Sequence, residues 1–340
     1  MEKCSRMIAL IGLVGVSLIA AGCGGGTGKG QPKVKVGPET EIGGLTQITT
    51  ETTIETMPTW SRTGRGMLFV TDRFGGLGIC KVDRAGGGGI TALTTAPSEL
   101  DADFSPDVSP NEDEIAFAST RARGVPQIFT ILPGSRGLTQ LTSMAEGAVE
   151  PSWSPDGKRL AFSSPDKNGV WHVWIVSKDG SNLQQITPGI QARWAPDGGR
   201  LVFSKESTTK KGKNWDIYIV NIDGSGVTQI TTDETWEFHP VWSPDGNWIC
   251  YASVKDRVQV PAKFEAWFKQ QIQFRNYEIC VKNVSVAGRG AIQLTHSSGR
   301  DDYPRWSPDG KQIVFSSDRN GNPDIWAMTP NVVVAGKGGE

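Results

Sequence analysis

Excess charge of either sign is missing from this chain of 340 residues. Lys and Arg together number 35 and Asp and Glu number 36, so the formal net charge at pH 7 is −1. A general nucleic-acid binder is expected to show a basic bias. We therefore expect no nucleic-acid partner.

Signatures of common enzyme classes are missing as well. The chain has no Gly-x-Ser-x-Gly, no Cys-x-x-Cys and no phosphate-cradling glycine loop before a helix. Its three histidines, His172, His239 and His296, lie on separate repeats or loops. A histidine-based metal centre needs several neighbouring ligands. We expect no catalytic residue and no cofactor, with Ca²⁺ the one candidate ion.

Long apolar runs are scarce, and the clearest one covers residues 8–21, after the basic residues Lys3 and Arg6. It is shorter than the ~20 residues of a membrane-spanning helix and ends Ala20-Ala21-Gly22-Cys23. This order predicts a signal peptide at residues 1–22 and resembles the lipobox of bacterial lipoproteins. The resemblance implies that Cys23 is lipidated. An ordinary secretory peptide and an uncleaved anchor are the alternatives.

A glycine-rich segment follows, and its composition predicts a flexible tether at residues 23–44. Three further cysteines remain, Cys80, Cys250 and Cys280. Cys250 and Cys280 are expected on neighbouring strands, where they could pair in an oxidising envelope. Buried free thiols are the favoured alternative, because cross-strand geometry often disfavours a disulfide.

Six copies of one short pattern fill the rest of the chain. The clearest begins Trp153-Ser154-Pro155-Asp156-Gly157, continues through two apolar strands and ends at the Ile-Thr pair of Thr187. The inner strands are predicted to end at Trp60, Phe104, Trp153, Trp194, Trp242 and Trp306. Spacings near 45 residues, with four short strands per unit, predict a six-bladed β-propeller at residues 45–331 and a tail at 332–340.

The last copy has no clear fourth strand. Its counterpart stands at the other end of the chain as Leu45-Thr46-Gln47-Ile48-Thr49, which matches residues 138–142 almost residue for residue. We expect this N-terminal strand to complete the sixth blade and close the ring, because closure removes free strand edges. Residues 332–334 are the rival for that place.

The repeated Trp-Ser-Pro-Asp-Gly, Phe-Ser-Ser, Asp-Ile-Tyr and Leu/Ile-Thr set resembles the TolB-type β-propeller repeat. The resemblance covers residues 45–331 and implies a propeller in the cell envelope. It does not imply a specific role in the Tol–Pal system, because a glycine-rich linker stands here where TolB has an additional N-terminal domain.

Acidic side chains recur just before the inner strands and are expected to converge at one mouth of the channel. They could hold Ca²⁺, which prefers six to eight oxygen ligands, or attract a basic peptide. Solvated acids without a ligand are the alternative. The candidate ligand-binding residues are Glu55, Asp101, Glu150, Glu237, Asp301, Asp302 and His239.

An insertion in the fifth repeat, residues 255–275, carries apolar residues at helical spacing and predicts a short amphipathic helix. Its candidate partner-binding residues are Phe264, Trp267 and Phe268. Their stripe could meet a partner or a lipid surface, or simply pack on the propeller.

These features favour a monomeric, non-enzymatic lipoprotein that is lipid-anchored in the cell envelope, periplasmic or extracytoplasmic. Its partner would be an envelope protein or peptide. The alternative is a polysaccharide-binding or polysaccharide-degrading propeller similar to the oligogalacturonate lyases, which hold a metal through several channel histidines.

Overall fold

A computed structural model describes residues 42–83, 89–98, 101–134, 136–210, 212–254, 276–286 and 290–332. These residues form six four-stranded antiparallel sheets arranged as the blades of a closed ring. The predicted six-bladed propeller is confirmed. The predicted signal peptide, Cys23, the insertion at residues 255–275 with Phe264, Trp267 and Phe268, and residues 333–340 lie outside the described residues.

The first three blades use consecutive strands, with the inner strand first. Blade 1 comprises β2 (Glu55–Trp60), β3 (Gly66–Thr71), β4 (Gly78–Asp83) and β5 (Thr91–Ala92). Blade 2 comprises β6 (Asp103–Val108), β7 (Ile115–Ser119), β8 (Gln127–Leu132) and β9 (Arg136–Gln140). Blade 3 comprises β10 (Val149–Trp153), β11 (Arg159–Pro165), β12 (Trp171–Ser177) and β13 (Gln184–Pro188).

The remaining blades repeat this plan until the ring closes. Blade 4 comprises β14 (Ile190–Trp194), β15 (Arg200–Thr209), β16 (Gly212–Asn221) and β17 (Thr228–Gln229). Blade 5 comprises β18 (Trp236–Trp242), β19 (Trp248–Val254), β20 (Tyr277–Asn283) and β21 (Ile292–Gln293). Blade 6 comprises β22 (Asp301–Trp306), β23 (Ile313–Ser317), β24 (Asp324–Pro330) and β1 (Ile42–Gln47).

The N-terminal strand closes the ring as predicted. β1 pairs antiparallel with β24, with Thr46 opposite Ala327 and Gln47 opposite Trp326. It begins at Ile42, within the last residues of the predicted tether. The amide N–H of Ile48 continues the pairing by donating to the carbonyl of Ile325 at 2.8 Å. The outer place in blade 6 is therefore taken by β1 and not by residues 332–334.

The repeated Leu/Ile-Thr ending has a direct structural reason. In blade 3 the ending belongs to β13, but in the other five blades the threonine hydroxyl accepts a hydrogen bond from the amide N–H of an isoleucine on the third strand. These pairs are Ile79 to Thr94, Ile128 to Thr142, Ile217 to Thr231, Ile279 to Thr295 and Ile325 to Thr49, at 2.9–3.1 Å. The threonine thus fastens the short outer strand.

The Ser-Pro-Asp-Gly turns join the first strand of a blade to the second. In blade 3 the Ser154 hydroxyl donates to Asp156 and accepts from the amide of Arg159, and Gly157 has a φ of 68°. Only glycine adopts this left-handed conformation at no steric cost. We call the side of the ring that carries these turns the turn face, and the opposite side the loop face.

Blade 2 has a different register from the predicted one. β6 ends at Val108 and not at Phe104, so Ser105-Pro106-Asp107 lies inside the strand. The turn is Ser109–Glu112. The Ser109 amide N–H donates to the Glu114 carbonyl, just as the Ser154 amide N–H donates to the Arg159 carbonyl in blade 3. The prediction at Phe104 was wrong by four residues, since the chain offers two Ser-Pro pairs and the turn forms at the second.

Large side chains on the first two strands fill the space between and within blades. The Trp194 indole packs against residues of blade 3 and donates from Nε1 to the Ser152 carbonyl at 3.1 Å. Trp60 makes the same bond to the Arg305 carbonyl of blade 6 at 3.3 Å. These two indoles therefore pack between neighbouring blades. Among the described residues, no helix has the length and apolar character needed to cross a membrane.

Cys80, Cys250 and Cys280 are buried free thiols. Cys250 lies opposite Val281 and Cys280 lies opposite Tyr251 in the β19–β20 ladder. Residues directly opposite share a face and neighbours along a strand alternate, so the two thiols point to opposite faces of blade 5. The strand register therefore prevents the disulfide that their proximity in sequence suggested.

Candidate functional site

The inner strands carry one side chain each into the central channel from an unusual backbone position. The residue three before the end of each inner strand has a positive φ of 52–63°, although none of the six is glycine. We call this set the channel ring. Its members are Met57, Ser105, Glu150, Gln191, His239 and Tyr303.

A bulge explains this conformation. The pairing between the first and second strands shifts register across the channel ring in all six blades. A bulge re-aims a side chain that a regular strand would point elsewhere. Non-glycine residues rarely adopt positive φ, and such positions concentrate at functional sites. The ring members surround a cavity of about 10 Å³, which has room for about one water molecule.

The chemically richest part of the channel ring joins three blades. His239 Nδ1 lies 2.6 Å from Asp302 Oδ1, and its Nε2 lies 3.9 Å from Glu150 Oε1. All three side chains are at least nine-tenths buried. The Tyr303 ring lies against the imidazole with a centroid separation of 4.0 Å. One imidazole thus stands between two buried carboxylates. We call Glu150, His239 and Asp302 the acid–imidazole cluster.

The two carboxylates of this cluster differ in charge balance. Burial by itself disfavours the charge of Asp302, but His239 and the Arg300 guanidinium, 2.8 Å away, hold the pKa of Asp302 well below its usual value. Burial raises the pKa of Glu150, and nearby His239 and Arg193 offset this only in part. Glu150 accepts one hydrogen bond from Ser163 at 3.1 Å. It is therefore the less compensated of the two carboxylates.

His239 is held firmly but retains one unused nitrogen. Its amide N–H donates to Gln191 at 2.8 Å, which ties blade 5 to blade 4. Among the described residues, Nε2 is buried without a hydrogen-bond partner. An entering ligand could meet this nitrogen and Glu150 together.

The other predicted acids do not join this cluster. Glu55 forms an ion pair with Arg73 at 2.9 Å, and Asp301 forms one with Arg319 at 2.9 Å and accepts from Ser317 at 2.5 Å. Glu237 accepts a hydrogen bond from Thr231, and burial raises its pKa well above the usual value. These three carboxylates occupy the position five before the strand end. Glu55 and Asp301 pair within their own blades, whereas Glu237 of blade 5 bonds the threonine that ends blade 4.

Asp101 lies farther out, in the loop before β6, where Ser98 donates to it at 2.8 Å. The expectation that all the acids converge at one place is therefore not met. Glu150 and Asp302 meet at His239, whereas Glu55, Asp101, Glu237 and Asp301 bond other partners. Within the described residues, no group of three His, Cys, Asp or Glu side chains is arranged to hold a metal ion.

Several residues of the site were absent from the sequence prediction. Asp103 takes the position of Glu55 and Asp301 and pairs with Arg121, which the misread register of blade 2 concealed. Two arginines, Arg193 and Arg305, also line the channel on the side toward the turn face. The signal for them was available, because both stand immediately before the tryptophan that ends an inner strand.

Comparisons with known proteins agree with this architecture. Residues 99–209 match the model of the TolB beta propeller domain. An uncharacterised protein of Agrobacterium fabrum is 31% identical over 87 residues, which cover 26% of this chain and 23% of that protein. The Tol-Pal system protein TolB of Bordetella pertussis is 27% identical over 112 residues, which cover 26% of each chain. The matches thus span about a quarter of these relatives.

Solved structures resemble the chain over a longer range. A putative TolB from Agrobacterium tumefaciens has a TM-score of 0.62 at 18% identity, covering 84% of this chain and 93% of that one. An oligogalacturonate lyase from Vibrio parahaemolyticus has a TM-score of 0.56 at 15% identity, with the same coverage. At such identities the likeness concerns the fold alone.

Proposed function

We propose that this TolB-type β-propeller is a non-enzymatic protein of the cell envelope that binds a protein partner at the loop-face mouth of its channel. The observation that carries the proposal is the acid–imidazole cluster of Glu150, His239 and Asp302, buried at the channel from three blades. Similarity to a Tol-Pal system protein supports an envelope location and a protein partner.

The chemistry of the cluster favours a basic segment as the occupant. Glu150 is a buried carboxylate that accepts a hydrogen bond from Ser163 at 3.1 Å. Among the described residues, the group that reaches it at ion-pair distance is His239, which is a cation only when its imidazole is protonated. A Lys or Arg side chain entering the channel would replace the missing compensation. Ca²⁺ fits less well, because Asp302 is already shared between His239 and Arg300.

The alternative function is recognition or cleavage of a polysaccharide, the reaction class named for the oligogalacturonate lyase whose fold resembles this one. His239 is the one histidine of the channel ring among the described residues. His172 lies on β12 and bonds the Val170 carbonyl at 3.0 Å. A single channel imidazole supports a binding role better than a metal-dependent lyase mechanism.

Calorimetric titration with a Lys-rich peptide tests the binding mode. We expect an exothermic signal that weakens with salt. The affinity for the peptide should fall at least about tenfold in Glu150→Gln. Glu206→Gln is the matched control, because Glu206 is an exposed carboxylate on the β15–β16 hairpin that pairs with Lys213. An equal response of both variants would contradict the assignment of the cluster.

The partner itself is identified by incubating the purified protein with envelope extract, cross-linking and analysing the products by mass spectrometry. We expect a recurrent protein cross-linked near Glu150, and we expect the unbound protein to elute as a monomer in size-exclusion chromatography. Turnover of polygalacturonate by the same preparation, lost in His239→Ala, would instead establish the enzymatic alternative.

A further inference from the structure

The opposite, turn-face mouth of the channel opens into a second and larger cavity, of about 330 Å³. Its wall is built from the indoles that end five inner strands and from the prolines of five turns. The indoles are Trp60, Trp153, Trp194, Trp242 and Trp306, and the prolines are Pro110, Pro155, Pro196, Pro244 and Pro308. We call this cavity the turn-face funnel.

Positive charge is concentrated at the base of the turn-face funnel. Arg193 and Arg305 line both this funnel and the smaller cavity of the channel ring, so they separate the two. Arg62 stands at the rim, where the other turns carry proline. Three guanidinium groups from blades 1, 4 and 6 therefore meet at one end of the channel.

Negative charge at this end is insufficient to balance them. Asp107 lies 4.0 Å from Arg193 and 3.9 Å from Arg62, and one of its oxygens already accepts from the Trp153 amide at 2.7 Å. Among the described residues, no carboxylate lies within 4.0 Å of Arg305, whose guanidinium donates to the Pro304 carbonyl at 2.9 Å. Among the described residues, one carboxylate thus lies within ion-pair distance of two of these guanidinium groups, and none lies that close to the third.

The protonation of the two inner arginines reflects this imbalance. Burial, together with the nearby charge of Arg193, lowers the pKa of Arg305 to about 9. Burial also lowers the pKa of Arg193, although Asp107 and Glu150 oppose the change. Buried like charges are relieved when an anion enters, and arginine binds carboxylates through two parallel hydrogen bonds.

We propose that the turn-face funnel binds the carboxylate-bearing end of a peptide, with Arg193 and Arg305 holding the carboxylate. The size of the cavity favours a peptide over a lone anion, because about 300 Å³ is the lower bound for pockets that enclose drug-sized ligands. The tryptophan and proline wall supplies the apolar contacts that a peptide side chain would fill. This site has the opposite charge and the opposite location from the acid–imidazole cluster, so it does not depend on the function proposed above.

The test uses the whole mature protein and two matched peptides. One is acetyl-Ala-Ala-Leu-Glu with a free carboxyl end, and the other is acetyl-Ala-Ala-Leu-Gln amide, which has the same shape and no charge. Calorimetry at low and high salt should give binding of the first peptide, weakened by salt, and no binding of the second. Equal binding of both peptides would overturn the role of the arginines.

Variants locate the binding. Arg305→Met is chosen because it removes a guanidinium without leaving a carboxylate unpaired. We expect it to lower the affinity for the acidic peptide at least about tenfold. Arg305→Lys should lower this affinity less, because lysine retains the positive charge but cannot form the two parallel hydrogen bonds of a guanidinium. The control is Lys311→Met on the same face, since Lys311 is an exposed residue at the end of the blade 6 turn and does not line the funnel. A loss in this control equal to that in Arg305→Met would overturn the location.

Two further probes decide the chemical class of the ligand. Inorganic phosphate should compete only weakly, because it cannot contact the indole wall. Tight phosphate binding without peptide binding would reduce the funnel to an adventitious anion site. Trigalacturonate binding that exceeds peptide binding, and is lost in Arg305→Met, would assign the funnel to acidic sugars and overturn the peptide proposal.

Discussion

At the scale of single residues, the buried acids divide into two kinds that look alike in sequence. Asp103 pairs with Arg121 and Asp301 pairs with Arg319, each beside a serine of the second strand that donates to the carboxylate. In blade 6 the same Arg319 guanidinium lies 4.8 Å from the Trp326 ring. These paired acids are compensated by a neighbouring arginine, whereas Glu150 is the buried carboxylate that we propose for a ligand.

This division predicts opposite effects of two neutralising substitutions. Asp301→Asn leaves the buried Arg319 guanidinium without its carboxylate, and we expect a loss of about 3 kcal/mol in the free energy of unfolding. Burial raises the pKa of both carboxylates, so the difference lies in the ion pair. Among the described residues, no arginine lies within ion-pair distance of Glu150, so Glu150→Gln should leave stability unchanged or higher. Urea denaturation of both variants at pH 7 measures the difference, and similar losses in the two would contradict it.

At the scale of strands, β1 is the element that completes the ring. Deleting residues 45–49 would expose the edge of β24 and remove the two bonds that Asp324 accepts, from Gln47 at 2.9 Å and from Thr49 at 3.4 Å. We expect a loss of several kcal/mol, in the upper range of single-site effects. Removing residues 333–340 is the control and should leave the melting temperature unchanged. An unchanged melting temperature in the first deletion would show that ring closure contributes little.

The contact between β1 and β24 also makes the stability of the closed ring depend on pH. Burial, with the nearby charge of Glu55, raises the pKa of Asp324 to about 6. An acid with a raised pKa binds its proton more tightly in the folded state, so its contribution is most favourable below about pH 4 and is lost as pH rises through 6. We expect about 1 kcal/mol less stability from this group at pH 7.5 than at pH 4.5, after allowance for solvent screening.

Asp324→Asn tests this pH dependence. The substitution removes the titrating group, so the difference in urea midpoint between pH 4.5 and pH 7.5 should shrink relative to the wild-type protein. An identical pH dependence in the two proteins would mean that Asp324 does not titrate in this interval.

Local chemistry explains how much of the fold could be predicted from the sequence. The turn residues and the Leu/Ile-Thr endings form their bonds within one blade, as Ser154 with Asp156 and Thr142 with the Ile128 amide. Their spacing therefore revealed the strands, the blade count and the closing strand. Such signals are readable because they do not depend on how the blades are arranged around the ring.

The channel was less predictable because its residues are defined by a bulge and by neighbours from other blades. Glu150 and Asp302 stand three and four residues before the strand end, and only the three-dimensional ring brings both to His239. In blade 2 a second Ser-Pro pair shifted the predicted register by four residues and hid Asp103 and Asp107. Acidic residue type alone could not separate a ligand-facing side chain from a paired one.

At the scale of the whole molecule, the channel is polarised along its axis. Glu150 lies toward the loop face, and Arg193 and Arg305 border the turn-face funnel. An antiparallel inner strand rises about 3.4 Å per residue, so positions three and one before its end differ by about 7 Å. The two mouths therefore present different charges to partners that approach from opposite sides.

The route by which the chain would be anchored bears on the access to these mouths. β1 lies on the outer edge of blade 6, far from the channel axis, and begins at Ile42. The tether predicted from the sequence, from Cys23 to Ile42, would have a root-mean-square length of about 24 Å. A propeller anchored in this way would hang from its rim near the membrane, and both mouths would be accessible.

Cys23→Ser tests this arrangement. We expect the mature protein to move from the membrane fraction to the soluble fraction, because the cleaved variant has no cysteine to carry the acyl chain. Its affinity for the Lys-rich peptide should be unchanged. Unchanged affinity is the internal control, since the propeller begins well after Cys23. A variant that is cleaved yet remains in the membrane fraction would show that the acyl chain is not the anchor and that a surface of the propeller, or the insertion at residues 255–275, holds it there.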